Sequence, residues 1–448
     1  MFVNVFRRWA AVGLAIFVLV LPSSRALALP GDVELVSVTM YGYETHMSSQ
    51  SPSISANGRY VSFSSDSPDI VVGDTNDVYD IFVRDRQAQT NLRVSVDGEG
   101  NEANQVSAVS VLSADGQWIA FQSSASNLVD GDTNGTLDVF LRNLTTGTIT
   151  LVSVNNDGEQ GNGESTFPAI SGDGRFVVFC SEATNLTADD TNGVMDIFVR
   201  DTWLGKTTCV SCLPDGQVPA YGSGHGRISD DGRYVVFMTY DLLPEDTNGV
   251  GDVYRYDRAT GSLELISVGL DGALADNHSS EADISGDGRW VVFSSAASNL
   301  VAAGECPVWC VYLRDMKNGT THRISRTLEG EPFNATNASL SYNGRFIAFW
   351  TKSALVPEDT NTSEDIYVLD TQRELFSLVT ITADGTLSDG VIGGFSISGD
   401  GRFVVFASNA RNLVPDHIGS RVDVFVKELS WPPPPLTYVY LPTIHVAK

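Results

Sequence analysis

Seven times along the chain the pattern Ser-x-(Asp/Asn)-Gly-(Arg/Gln)-aromatic returns, as SANGRY, SADGQW, SGDGRF, SDDGRY, SGDGRW, SYNGRF and SGDGRF. Its glycines are Gly58, Gly116, Gly174, Gly232, Gly288, Gly344 and Gly401, so successive copies stand 58, 58, 58, 56, 56 and 57 residues apart. Such regularity means one supersecondary unit copied along the chain. The unit is too long for ankyrin, leucine-rich or tetratricopeptide repeats, which leaves blade-sized sheets.

Within a unit the local signals are strands and turns. In the third copy a strand at Ala169-Ile170-Ser171 ends at Asp173-Gly174, a dipeptide suited to the positive φ of a hairpin turn. Strands follow at 176–180, 196–200 and 208–211, giving four antiparallel strands per unit, one propeller blade. Runs such as Phe176-Val177-Val178-Phe179 are apolar on both faces, as blades sandwiched between neighbours require. The seventh unit reaches a third strand at 423–427 and then meets Trp431 and four prolines. Its missing fourth strand is supplied by Glu34-Leu35-Val36-Ser37-Val38, which matches Leu151-Val152-Ser153-Val154. The expected fold is therefore all-β, a seven-bladed β-propeller of four-stranded antiparallel blades, its ring closed by the N-terminal strand joining the last blade.

These units resemble the WD40-like (PD40) repeats of the TolB-like propeller superfamily over about residues 33–430. The resemblance implies the propeller and no particular function. It also implies neither of the best-known family activities, since no α/β segment like TolB's precedes the repeats and no G-x-S-x-G nucleophile elbow is present.

Residues 1–28 carry Arg7 and Arg8, an apolar run from Trp9 to Leu21 and Ala26-Leu27-Ala28, the pattern of a signal peptide cleaved near Ala28. The domain reading is thus signal peptide 1–28, TolB-like propeller 29–431, and a Pro-rich linker and tail 432–448. The protein is expected to be secreted, extracellular or in the cell envelope, monomeric and not inserted in a membrane. Loss of the signal takes the net charge from −27 to −30, which disfavours nucleic acid. Five cysteines leave an odd thiol. Cys306 and Cys310, in one loop, are expected to bridge. Cys209 and Cys212 are expected to point to opposite faces of a strand as buried small hydrophobes.

The loop between second and third strands carries Asp-Thr-Asn-(x3)-Asp in five blades: Asp74, Asn76 and Asp80; Asp132, Asn134 and Asp138; Asp190, Asn192 and Asp196; Asp246, Asn248 and Asp252; Asp359, Asn361 and Asp365. The fifth blade reads Gly304-Glu305-Cys306-Pro307 instead, and the seventh Asp416-His417-Ile418 before Asp423. Two readings stand. The side chains close turns on their own backbone, or they hold calcium, the one cofactor the sequence suggests, through hard oxygen ligands. Leu128, Leu186, Leu243, Leu300, Leu355 and Leu413 precede these loops and should pin them to the core.

His225 and His278 are placed in interblade links on the same acidic face, two histidines without a third. With no cluster of acid, base and nucleophile, the leading expectation is a non-enzymatic secreted binding or scaffolding propeller. It would contact an extracellular protein or glycan through the acidic face of Asp-Thr-Asn loops. The alternative is a polysaccharide-active lyase or hydrolase with its site at the central channel mouth, using carboxylates and His225 or His278. A third reading is a structural envelope component.

Overall fold

The computed structural model describes residues 31–212, 221–302, 306–415, 417 and 419–430. The signal-peptide and C-terminal-tail readings therefore lie outside the described residues. Seven four-stranded antiparallel sheets follow one another as blades, each spanning from an inner first strand to an outer fourth. Blade 1 is built from Ser49–Ile54, Tyr60–Ser65, Asp80–Asp85 and Thr90–Arg93. Blade 7 contributes Ile392–Ile397, Phe403–Ser408 and Asp423–Glu428, and its fourth strand is Val33–Leu35, with Val33 opposite Lys427 and Leu35 opposite Phe425. The ring closes as expected.

The N-terminal strand is shorter than the sequence suggested, and the reason recurs around the ring. Past Leu35, Ser37 turns inward; its Oγ donates to Asp423 Oδ1 at 2.7 Å and accepts Val424 N–H at 2.9 Å. Ser153 does the same to Asp138 at 2.6 Å and Ser211 to Asp196 at 2.5 Å. The last Asp of each loop motif is thus a buried acceptor that stops the fourth strand and starts the third.

The repeated signature is explained by contacts between blades. The aromatic residue that follows each signature Arg or Gln lies over the signature glycine of the next blade: Tyr60 over Gly116, Trp118 over Gly174, and finally Phe403 over Gly58. Those glycines have φ between +68° and +76° and would bring any β-carbon into the neighbouring ring. The signature Arg reaches back across its own hairpin, as in Arg175 Nη2 to Asp201 Oδ2 at 2.7 Å, while its guanidinium stacks on Phe176.

Between blades the core is apolar and aromatic. Phe179 stacks on Phe198 with centroids 5.7 Å apart, and the same pair recurs as Phe63–Phe82 and Phe406–Phe425. Leu128, Leu186, Leu300 and Leu413 are buried under the loops they precede, and Leu243 and Leu355 pack partly against the core.

Candidate functional site

The first strands of all seven blades surround a central cavity of about 440 Å³. Each first strand is broken by a bulge. In six blades the bulged residue is not glycine and sits in the left-handed region: Ser51, Val109, Phe167, His225, Glu281 and Asn337, with φ from 44° to 58°. Such a conformation costs about 1–2 kcal/mol per residue, and a bulge re-aims the side chain it carries. All six border the cavity.

The floor of the cavity is a second ring. Its members are the variable residues of the signature turns, Ala56, Ala114, Gly172, Asp230, Gly286, Tyr342 and Gly399, all but Gly172 bordering the cavity. One backbone hydrogen bond joins each pair of neighbouring blades there, for example Gly172 N–H to Asp230 O at 2.9 Å and Gly286 N–H to Tyr342 O at 2.8 Å, closing at Asp400 N–H to Ala56 O, 3.0 Å. Five of these residues are Ala or Gly. The Tyr342 ring lies where a side chain on Gly286 would stand.

The backbone is near-symmetric and the chemistry is not. Blades 4 to 6 present His225, Arg227, Asp230, Glu281, Asp283 and Asn337, whereas the rest of the wall is mostly apolar, with Pro52, Ile54, Val109, Phe167 and Phe395. Glu281 accepts from Ser294 Oγ at 3.2 Å and from Asn337 N–H at 3.1 Å. Asp283 accepts from the N–H groups of Leu340 and Ile284, both at 2.9 Å. Burial pushes Asp283 up, with Arg227 opposing, and pushes Asp230 up to about 6, helped by the charges of Asp283 and Asp231. His225 is exposed to the cavity, yet partial desolvation by its surroundings and then the Arg227 charge pull it below its ordinary value, with Glu281 opposing, which favours the neutral imidazole. Trp350 borders the cavity beside Phe395, ring centroids 5.4 Å apart, and its Nε1–H finds no acceptor.

His225 thus belongs to the first strand of blade 4, Gly224–Ile228, and not to an interblade link. Three glycines at 222, 224 and 226 disguised the strand as a loop. His278 does lie in a link, exposed, its Nδ1 accepting Gly251 N–H at 2.9 Å, and the two histidines share no site. Arg227, Glu281, Asp283 and Asn337 were missed. The signal that marks the wall is a column: the residue seven before each signature glycine reads Ser, Val, Phe, His, Glu, Asn, Gly.

In the Asp-Thr-Asn loops, the first and last Asp of each motif face one slot, and the protein itself fills most of these slots. In blade 1, Arg93 Nη1 stands 3.1 Å from Asp74, 3.8 Å from Asp80 and 2.6 Å from Glu102. In blade 2, Gln160 Nε2 donates to Asp132 at 2.7 Å and to Asp138 at 2.8 Å. The Tyr254 hydroxyl donates to Asp246, with Asn248 Nδ2 on Asp252 at 2.7 Å, and the Tyr367 hydroxyl donates to Asp359 at 2.5 Å. Asn134 and Asn361 close turns by accepting Thr136 N–H and Ser363 N–H. In blade 7, His417 takes the place of the first Asp and meets Asp423 Oδ2 at 3.1 Å. Blade 3, with Asp190, Asn192 and Asp196, goes furthest: both carboxyl oxygens of Asp190 and one of Asp196 are buried and make no hydrogen bond, where blade 4 leaves one oxygen of Asp246 so and blade 6 one of Asp365.

Cys306 and Cys310 are disulfide-bonded, Cα atoms 5.9 Å apart. Cys209 and Cys212 are bonded as well, Cα atoms 5.4 Å apart, contrary to the expectation of opposite faces. The fourth strand of blade 3 ends at Cys209, and the turn after it brings Cys212 back. Cys180 is the buried free thiol among the described residues, its pKa pushed up to about 11 by burial.

The expectation of a non-enzymatic module without a catalytic constellation does not stand. Among the described residues two groups of side chains have donor atoms close enough to hold one metal ion, Asp196 with Cys209 and Cys212, and Glu44 with His417 and Asp423. Neither specifies calcium. The first is tied up while its sulfurs are bonded to each other. In the second, His417 is buried, its pKa raised by the Asp423 hydrogen bond and by Glu44. Among the described residues no helix is long and apolar enough to cross a membrane.

No protein-family model and no curated protein matches the sequence. Solved structures do match. An oligogalacturonate lyase from Vibrio parahaemolyticus aligns over 89% of this chain and 98% of its own at 12% identity, TM-score 0.52. Prolyl endopeptidases align over 86% of this chain at 13% identity, TM-score 0.50; the match spans 51% of their length. TolB from Acinetobacter baumannii aligns over 66% of this chain and 58% of its own at 17% identity, TM-score 0.38. The first two likenesses agree with the propeller fold seen here and show the fold alone.

Proposed function

We propose that the chain is a carbohydrate-active enzyme whose site is the charged wall of the central cavity, and that it cleaves a uronate-containing polysaccharide by elimination. The observation that carries this reading is the concentration of polar groups on blades 4 to 6: His225, with Arg227 and Glu281 acting on its charge, held on strained backbone and flanked by an otherwise largely apolar wall that includes Phe167 and Phe395.

Elimination from a uronate needs a base for the proton next to the carboxylate and a cation to spread the charge that develops there. His225 supplies the base. Its nitrogen takes the proton, the freed electron pair forms the carbon–carbon double bond, and the glycosidic oxygen leaves with a proton from solvent. Arg227 receives the substrate carboxylate, and Glu281 steadies the imidazolium. The aromatic rings of Phe167 and Phe395, on the blades that flank the polar segment, suit the apolar faces of sugar rings. The likeness to an oligogalacturonate lyase agrees with this substrate class without placing a residue. In the same reading residues 1–28 direct export, residues 29–431 form the working domain with TolB-like kinship, and the protein acts outside the cytoplasm.

The test is incubation of the mature chain with uronate polymers, followed by ultraviolet absorbance of the unsaturated product, alongside His225→Gln. Product formation that falls by about 10²–10⁴-fold in the variant is expected. Sugar binding without turnover in either protein would return the cavity to a purely ligand-binding role.

A further inference from the structure

We propose that Asp190 and Asp196 of blade 3 together hold one hard divalent cation of the calcium type, and that the other Asp-Thr-Asn loops bind none. The argument rests on comparing the same slot around the ring. In blade 2 a single nitrogen, Gln160 Nε2, lies 2.7 and 2.8 Å from both carboxylates, so the motif is spaced for one atom to bridge the pair. Blade 1 places the Arg93 guanidinium there, and blades 4 and 6 direct a tyrosine hydroxyl to the first Asp.

Two of these fillers, the arginine and the tyrosine, have counterparts among the described residues of blade 3, and neither is equipped for the task. The position of Arg93, opposite the third-strand aromatic, is Cys209, bonded to Cys212. The position of Tyr254 and Tyr367 is Phe198, which lacks the hydroxyl. Asp190 is 5% exposed and Asp196 0%, and three of their four carboxyl oxygens make no hydrogen bond; the fourth accepts Ser211 Oγ at 2.5 Å.

Buried carboxylates without donors are costly unless paired or metal-bound. An all-oxygen set with two carboxylates suits calcium better than zinc, and disulfide sulfurs are not thiolate ligands.

The experiment is calorimetric titration of calcium into the chelator-stripped, non-reduced chain, with melting followed in parallel. One equivalent is expected. Asp190→Asn should weaken binding about ten-fold or more and leave the melting midpoint in chelator unchanged or higher, because it removes a like charge. Asp132→Asn should leave binding intact. Gln160→Val, which removes the group that bridges Asp132 and Asp138, should add a second equivalent. No calcium binding, five equivalents, one equivalent indifferent to Asp190→Asn, or binding only of zinc after reduction of Cys209–Cys212 would each overturn the proposal.

Discussion

Phe403 of blade 7 lies against Gly58 of blade 1, so the last blade touches the first through an aromatic ring and a residue with no side chain. The other signature glycines meet the preceding blade's ring in the same way, and each has a φ that L side chains rarely adopt.

Gly58→Ala should therefore suffer twice, through backbone strain and through displacement of Phe403, and lose about 2–5 kcal/mol. Gly73→Ala, at φ +81° with open space around it, meets only the first effect and should lose about 1–2 kcal/mol. Denaturant unfolding of the two variants separates them. Equal losses would show that the ring contact carries no stability.

Ser37→Ala removes a buried hydroxyl that serves both Asp423 and Val424. It leaves the carboxylate with less compensation and should cost about 1–3 kcal/mol. Removing residues 29–40 should be far worse, because the third strand of blade 7 then becomes an exposed edge. A truncated protein that melts like the intact one would refute closure as a source of stability.

Stability should rise on mild acidification. Asp74, Asp138, Asp190, Asp230 and Asp252 are each pushed up to about 6, chiefly by burial. The folded state therefore binds more protons than the unfolded chain between about pH 4 and 6, and the stability these groups contribute is lost as pH rises through that window. His225, pulled down, works in the opposite sense. Melting in chelator at a series of pH values should show a higher midpoint near pH 5 than near pH 7.5. A flat or inverted profile would mean the slots are better compensated than their hydrogen bonds indicate.

If His225 is the base, activity should fall on the acid side with a midpoint below the ordinary histidine value of 6.5, because burial and Arg227 favour the neutral ring. Arg227→Gln should remove the positive neighbour and move that midpoint upward while weakening substrate binding. An unmoved midpoint in the variant would assign the titration to another group.

The fold was legible because the repeat speaks seven times and each copy carries its own turn glycine and aromatic. The N-terminal closure was legible because Leu-Val-Ser-Val recurs as a fourth strand. The site was not, because it consists of departures from the repeat. His225 was seen but misplaced among its glycines, and Glu281, Asp283 and Asn337 look like ordinary strand residues until the seven first strands are aligned on their bulges. The Cys209–Cys212 bridge was hidden for a related reason: the strand rule that separates their side chains ends where the strand ends.

Blade 7 is assembled from both ends of the chain, and this sets an order of events during synthesis. Val33–Leu35 is made first but has no partner until Asp423–Glu428 has emerged, a wait on the order of tens of seconds at ordinary elongation rates. Six blades can form and stack while the ring is still open. A message cut short before Glu428 yields a protein that keeps most of its blades yet displays an unpaired edge, so the quality of the finished ring is decided by the last strand to be made.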